Sequence, residues 1–375
     1  MTTFMLTAFI GFGVLSLFAA EPATPPTPTS GAAPEQREPD LMPGTLIVLN
    51  KAEASVSLVD LTTGEEIGRV PVGDGPHEVD VSDDGRIAVV TNYGQRTPGN
   101  SLTVIDLEQM KPIRTIDLGE YQRPHGIFFT DGARHVAVTA EAQQKLIVVN
   151  IESGEVTQAI DTDARVSHMV ALSPNKERAY VSNIGSHSMT VLDLTEGRRV
   201  GVVETGRGAE GIDVSPDGRH IWVTNRDANN VTIVDAESLE VIKTLECPAF
   251  PIRAKFTPDG RRVLVSNART GDVVVFDAAT HEEIRRIPMA LTATEDRDGR
   301  LFGDRFGQSP VPVGIIIPGE GRFAFVANTN ADIITVIDLE TLEVTARLRG
   351  GKEPDGLGYT PHRLAPAADT TDSDA

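Results

Sequence analysis

The chain writes nearly the same phrase seven times over. Aligned on the aspartate or asparagine that closes a V-x-V-x-D strand, the copies end at Asp60, Asp106, Asn150, Asp193, Asp235, Asp277 and Asp338. Successive copies lie 46, 44, 43, 42, 42 and 61 residues apart. A second mark, the asparagine of V-T-N and its variants, falls at Asn50, Asn92, Asn183, Asn225, Asn267 and Asn328, with Ala140-Glu141 in the remaining slot. A period in the low forties made only of short strands restricts the chain to a radial array of small sheets, a propeller. Residues at one phase of the repeat must then share one ring.

The clearest copy spans residues 210–246. Gly211-Ile212-Asp213-Val214-Ser215 reads as a short strand, and Ser215-Pro216-Asp217-Gly218 as a turn with proline pre-set at its second position. His220 to Thr224 alternates as a second strand, Val231 to Asp235 makes a third, and Val241 to Leu245 a fourth. Four strands joined by short antiparallel turns form one twisted blade. Continuous apolar runs such as Val273-Val274-Val275-Phe276 mark strands buried on both faces. The repeat opens on a second strand, Thr45 to Asn50, and closes on a first strand, Gly356 to Thr360. The expected fold is therefore all-β, a seven-bladed β-propeller over 45–361. Its last blade combines one C-terminal strand with three N-terminal ones, which pairs both chain ends and leaves no open gap in the ring.

Composition narrows the setting. The chain has 375 residues, 40% of them apolar, and a formal net charge of −20, none of it in residues 1–20. Such an acidic field argues against binding nucleic acid through phosphates. One cysteine, Cys247, rules out an internal disulfide, and no C-x-x-C-H is present for haem attachment. Residues 1–20 are uncharged and mostly apolar, which reads as an export signal cleaved near Ala19 or Ala20, or else as an uncleaved N-terminal anchor. Either places the domain outside the cytoplasm, periplasmic or secreted. Residues 21–44, rich in proline and threonine, read as a stiff spacer, and 362–375 as a disordered acidic tail.

Ser215-Pro216-Asp217-Gly218, Trp222-Val223-Thr224-Asn225 and Val231-Thr232-Ile233-Val234-Asp235, with their copies, resemble the YVTN family of seven-bladed propellers, which includes periplasmic YncE-like proteins. The resemblance covers about 45–361 and implies the fold. Proteins of similar architecture include lactonases, the propellers of cytochrome d1 and nitrous oxide reductase, and cell-surface repeat proteins, so it implies no single activity.

The copies differ where first strands begin, at one mouth of the central channel. Going round blade by blade, that slot holds Asp355, His77, His125, His168, Glu210, Ile252 and Val313. The phase is set by Pro76-His77-Glu78, Pro124-His125-Gly126, Ser167-His168-Met169, Ala209-Glu210-Gly211, Pro251-Ile252-Arg253, Pro312-Val313-Gly314 and Pro354-Asp355-Gly356. The whole chain has 8 histidines, and three stand in adjacent slots of this one ring. Imidazoles and carboxylates converging on an axis suit a divalent transition metal: Zn, Fe, Cu or Mn. The expected ligands are His77, His125, His168 and Glu210, with Asp355 and Glu141 as candidate bases. Glu141 also has the place to orient an imidazole. The bland alternative is a hydrated mouth in which these histidines only hydrogen-bond loop carbonyls.

Arg226, Arg253 and Arg269 fall near the same mouth, where they either bind an anionic group or offset the carboxylates; the second is favoured. His135 and His220 begin second strands at the opposite mouth and His187 sits on a loop, so all three read as structural. The long interval before the seventh copy holds an insertion, Met289–Ser309, whose D-x-D-G kernel lacks EF-hand spacing. Its Phe302 and Phe306 suit a lid over one mouth. No catalytic triad signature, P-loop or dinucleotide fingerprint occurs, so neither haem nor nucleotide is expected. Three functions fit: an envelope module binding a metal, small molecule or protein at the mouth; a metal-dependent hydrolase (a lactonase, for example) or oxidoreductase; and an interaction scaffold. A monomer is expected.

Overall fold

The computed structural model describes residues 41–365; the expected export signal, residues 21–40 of the spacer and residues 366–375 lie outside them. The chain forms seven four-stranded antiparallel sheets around one axis. Numbered by inner strand, blades 1 to 7 begin at Pro76–Val81, Pro124–Phe129, Ser167–Leu172, Ala209–Val214, Pro251–Phe256, Pro312–Ile316 and Pro354–Thr360. In blade 7, Pro354–Thr360 pairs with Thr45–Asn50, which continues to Ser55–Asp60 and Glu65–Pro71. The ring thus closes between the two ends of the repeat, as expected. Among the described residues no helix is long and apolar enough to cross a membrane.

Packing runs slightly past the expected boundaries. Leu41 is buried against blades 6 and 7. After Thr360, Leu364 is buried and its amide donates to Thr45 Oγ1 (3.2 Å), while Arg363 Nε pairs with Asp60 Oδ2 (2.9 Å). These contacts fasten the closing strand from outside.

The repeated residues each do a definable job. The aspartate ending the third strand accepts the amides two and three residues on: Asp235 Oδ1 takes Glu237 N (3.0 Å) and Ser238 N (2.8 Å). That local bonding shapes the turn into the fourth strand. The V-T-N asparagine is buried and donates across to the third strand, Asn225 Nδ2 reaching Asn230 Oδ1 (2.8 Å) and Thr232 Oγ1 (2.9 Å). The hydroxyl just before it ties neighbouring blades together. Thr139 donates to His168 O (2.6 Å), Thr224 to Ile252 O (2.9 Å) and Ser266 to Val313 O (2.9 Å). Each of these carbonyls belongs to the mouth residue of the next blade, so at these junctions a repeated residue positions the ring.

The apolar core lies between blades. Trp222, Val231 and Ile233 of blade 4 pack with Ala254, Val263 and Val265 of blade 5, and each neighbouring pair contributes a similar layer. Cys247 is fully buried in this layer; its thiol donates to Asn267 Oδ1 (3.3 Å), and burial pushes its pKa up to about 12. It is therefore not a reactive thiolate.

Inner strands crowd at the axis. A Cβ on Gly211 would stand 2.2 Å from Ile252 O, and one on Gly314 2.1 Å from Asp355 O, so only glycine fits there. In blades 1 and 5 the same position carries Glu78 and Arg253, which line a channel cavity of about 120 Å³ together with Asp80, Asp213 and Lys255. Asp80 accepts the Phe129 amide (2.7 Å), and burial pushes its pKa up to about 6. A raised pKa means the protonated form is favoured on folding, so stability is lost as pH climbs from about 4 through 6. Asp80→Asn, which keeps an acceptor for Phe129, is expected to raise the melting temperature at pH 8 and leave it unchanged at pH 4. Equal shifts at both pH values would refute this.

Candidate metal centre at the channel mouth

Every blade enters its inner strand the same way. The residue two positions before the mouth slot has a left-handed backbone in all seven: Gly75, Arg123, Val166, Gly208, Phe250, Val311 and Glu353, with φ between 54° and 76°. This conformation costs about 1–2 kcal/mol for a non-glycine residue, and more for β-branched Val166 and Val311. The ladder then slips between the first and fourth residues of each inner strand in blades 1 to 6, as between Pro76 and Val79. The mouth residue sits inside that irregularity, which is how a bulge re-aims a side chain.

All seven slot residues are buried. His77, His125 and His168 fan around the axis with His125 in the middle, its ring centroid 4.1 Å from His77 and 3.7 Å from His168. The outer two centroids are 6.5 Å apart. Two groups of ligand atoms converge within 4.8 Å: His125, Glu141 and His168 on one side, and His77, Glu78 and His125 on the other. Glu210 stands beside the first group, its Oε1 3.6 Å from His168 Nε2, and Asp355 beside the second, its Oδ2 2.9 Å from His77 Nδ1. The His77–Asp355 pair has ion-pair distance without hydrogen-bond alignment, so His77 Nδ1 stays unpartnered.

The imidazoles differ sharply in what holds them. His168 Nδ1 is bonded to Glu141 Oε1, and Tyr93 Oη donates to Glu141 Oε2 (2.7 Å). Burial alone would lower the His168 pKa, but Glu141 and Glu210 outweigh it and hold it raised. His125 has 0% exposure and no partner at either nitrogen. Burial, followed by the neighbouring His168 and His77, drives its pKa well below the ordinary value, so its ring is neutral. The Glu210 carboxyl is held at about 2, because Arg226 and His168 overcome the effect of burial.

Arg226 donates to Glu210 Oε2 (2.6 Å), and Arg253 pairs with Glu78 Oε1 across the bore. Both arginines offset carboxylates, whereas Arg269 lies over the Phe306 ring, 5.9 Å from its centroid. His135 is paired with Asp131 (2.6 Å), and His187 accepts the Gly208 amide (3.1 Å); neither belongs to the fan. The insertion covers the apolar half of the same mouth. Phe306 is buried with Phe250, Ile252, Val311 and Val313, Phe302 packs on them, and Arg305 stacks on Phe250.

Sequence reasoning passed over Lys51 and Tyr93. Lys51 Nζ lies 2.5 Å from His77 Nε2 and 3.3 Å from Asp355 Oδ2. Tyr93 stands edge-on to His77 and His125, with centroids 5.0 and 5.4 Å away. The available signal was position: Lys51, Tyr93, Glu141 and Arg226 each follow the second-strand asparagine slot, and so form a second ring behind the first.

No curated protein matches this chain. Among solved structures, it is similar to hydrazine synthase from Kuenenia stuttgartiensis, with 21% identity over 83% of this chain and 98% of that one, at a TM-score of 0.63. It is similar to dihydro-heme d1 dehydrogenase NirN in complex with DHE, with 18% identity over 85% of this chain and 66% of that one, TM-score 0.59. A functionally unknown protein from Desulfotomaculum acetoxidans DSM 771 matches with 15% identity over 86% of this chain and 100% of that one, TM-score 0.68. At these identities the likeness is one of fold. A family model described as the YNCE-like beta-propeller matches residues 42–135 and 133–295, and the chain belongs to that family.

Proposed function

We propose that the protein is an exported propeller that binds one divalent transition metal at its channel mouth and serves the cell envelope as a binding module. The observation that carries this reading is His125. A neutral imidazole buried with neither nitrogen partnered leaves a donor and an acceptor unsatisfied, at about 1–3 kcal/mol each. A metal ion on one nitrogen removes much of that penalty. His168 presents Nε2 on the same side, with its Nδ1 turned to Glu141, the usual way in which a carboxylate orients a ligating histidine. Glu141 or Glu210 would supply an oxygen donor. Protons compete with the ion for His168, so binding weakens in acid. Of the two candidate bases, Asp355 is the weaker, since His77 and Lys51 outweigh its burial and hold its carboxyl far below the ordinary carboxylate range, while Glu141 is engaged by His168 and Tyr93.

The test uses tag-free protein recovered from the envelope of the producing cell. About one equivalent of Zn, Fe, Cu or Mn is expected by elemental mass spectrometry, on a chain whose N-terminus begins near Glu21. His125→Ala should lose the metal and His135→Ala should keep it. Metal-free protein that takes up no ion at micromolar concentration would end the metal reading, and an intact N-terminus would end the cleaved-signal reading.

A further inference from the structure

The metal proposed above uses the His168 side of the fan. On the His77 side a cation is already in place. Lys51 is only 6% exposed, and its ammonium lies against His77 Nε2 (2.5 Å) and Asp355 Oδ2 (3.3 Å). His77 also belongs to the second converging group, with Glu78 and His125. In the same pocket His77 Nδ1 and Asp355 Oδ1 are buried without hydrogen-bond partners. The two groups share His125, whose neutral ring has one lone pair, so an ion in each pocket at once requires the ring to release its N–H proton to solvent and bridge them.

We propose that the mouth is built as two adjoining cation pockets sharing His125, and that the Lys51 ammonium is the resident cation of the His77 pocket. This rests on the metal reading of the other pocket. A lysine head is a compact point charge with three donors, the side chain that best imitates a small ion. Tethered to the wall, it acts at high effective concentration, so a free ion entering this side must displace it. The cations beside the His168 pocket are guanidiniums held by Glu210, Arg226 at Oε2 (2.6 Å) and Arg253 Nη1 3.8 Å from Oε1, and neither is bonded to an imidazole of that pocket as Lys51 is to His77. The arc therefore takes one metal where its ligands could hold two.

Zinc titration followed by native mass spectrometry tests this on the full chain. Wild type should bind one Zn²⁺, Lys51→Met two, and Lys51→Arg one. Adding His77→Ala to Lys51→Met should return the count to one. His77→Ala alone, with Lys51 intact, should keep a single ion, which tests the pocket even if Lys51→Met does not fold. One ion on folded Lys51→Met, two on wild type, or loss of the ion in His77→Ala would each overturn the assignment. An ion bound by Lys51→Met but not by wild type would keep the Lys51 pocket and sink the single-metal reading. No ion on either protein would sink both.

Discussion

Replacing His125 with leucine is expected to make the metal-free propeller more stable by about 1–3 kcal/mol while abolishing metal binding. The side chains are similar in bulk, and the ring is enclosed by His77 at 4.1 Å and His168 at 3.7 Å. What leucine removes is two buried nitrogens without partners. Deleting an unsatisfied polar group in favour of an apolar one stabilises a core, and sites kept for binding commonly carry such a burden. Urea unfolding after chelation, with metal content measured beside it, checks both halves. A leucine variant less stable than wild type would show that His125 is held by contacts of its own.

Glu78→Gln should act in the opposite direction, and more strongly. Glu78 and Arg253 meet across the bore from blades 1 and 5, and Arg253 is only 6% exposed. Its Nη1 has no hydrogen-bond partner, and the nearby Glu210 Oε1 is 3.8 Å away. Arginine cannot shed its charge, so removing the facing carboxylate strands a buried cation, at about 3–5 kcal/mol. The double variant Glu78→Met, Arg253→Met should recover most of that loss. A double variant as unstable as the sum of the single changes would refute the pairing.

Much of the molecule could be read from the sequence because each repeated residue has a local task. Thr139, Ser182, Thr224 and Ser266 hold the next blade's mouth carbonyl in blades 2 to 5, so there repeat phase translated directly into ring position. The histidine arc was legible for that reason, and so was the closing blade. Lys51 and Tyr93 were legible in principle, since they follow the same asparagine that marks every second strand. The Glu78–Arg253 strap was not. It joins positions 175 residues apart on blades that are not neighbours, and only the width of the bore decides that two side chains at glycine positions can meet. The left-handed entry at Val166 and Val311 was equally hidden, because β-branched residues give no local signal for it.

The closing strand has a further consequence, which concerns the order of synthesis. A ribosome delivers the chain from its N-terminus, so Thr45–Asn50 exists long before Pro354–Thr360, the strand that must join it. During that interval blade 7 holds three of its four strands, and the nascent ring stays open. Asp355, the carboxylate beside His77 and Lys51, arrives on that last strand. The mouth thus acquires its full set of charges only when translation of the repeat is complete. It is the Lys51 pocket that would then mark a finished molecule, because a chain ended before Asp355 lacks the carboxylate that Lys51 and His77 share.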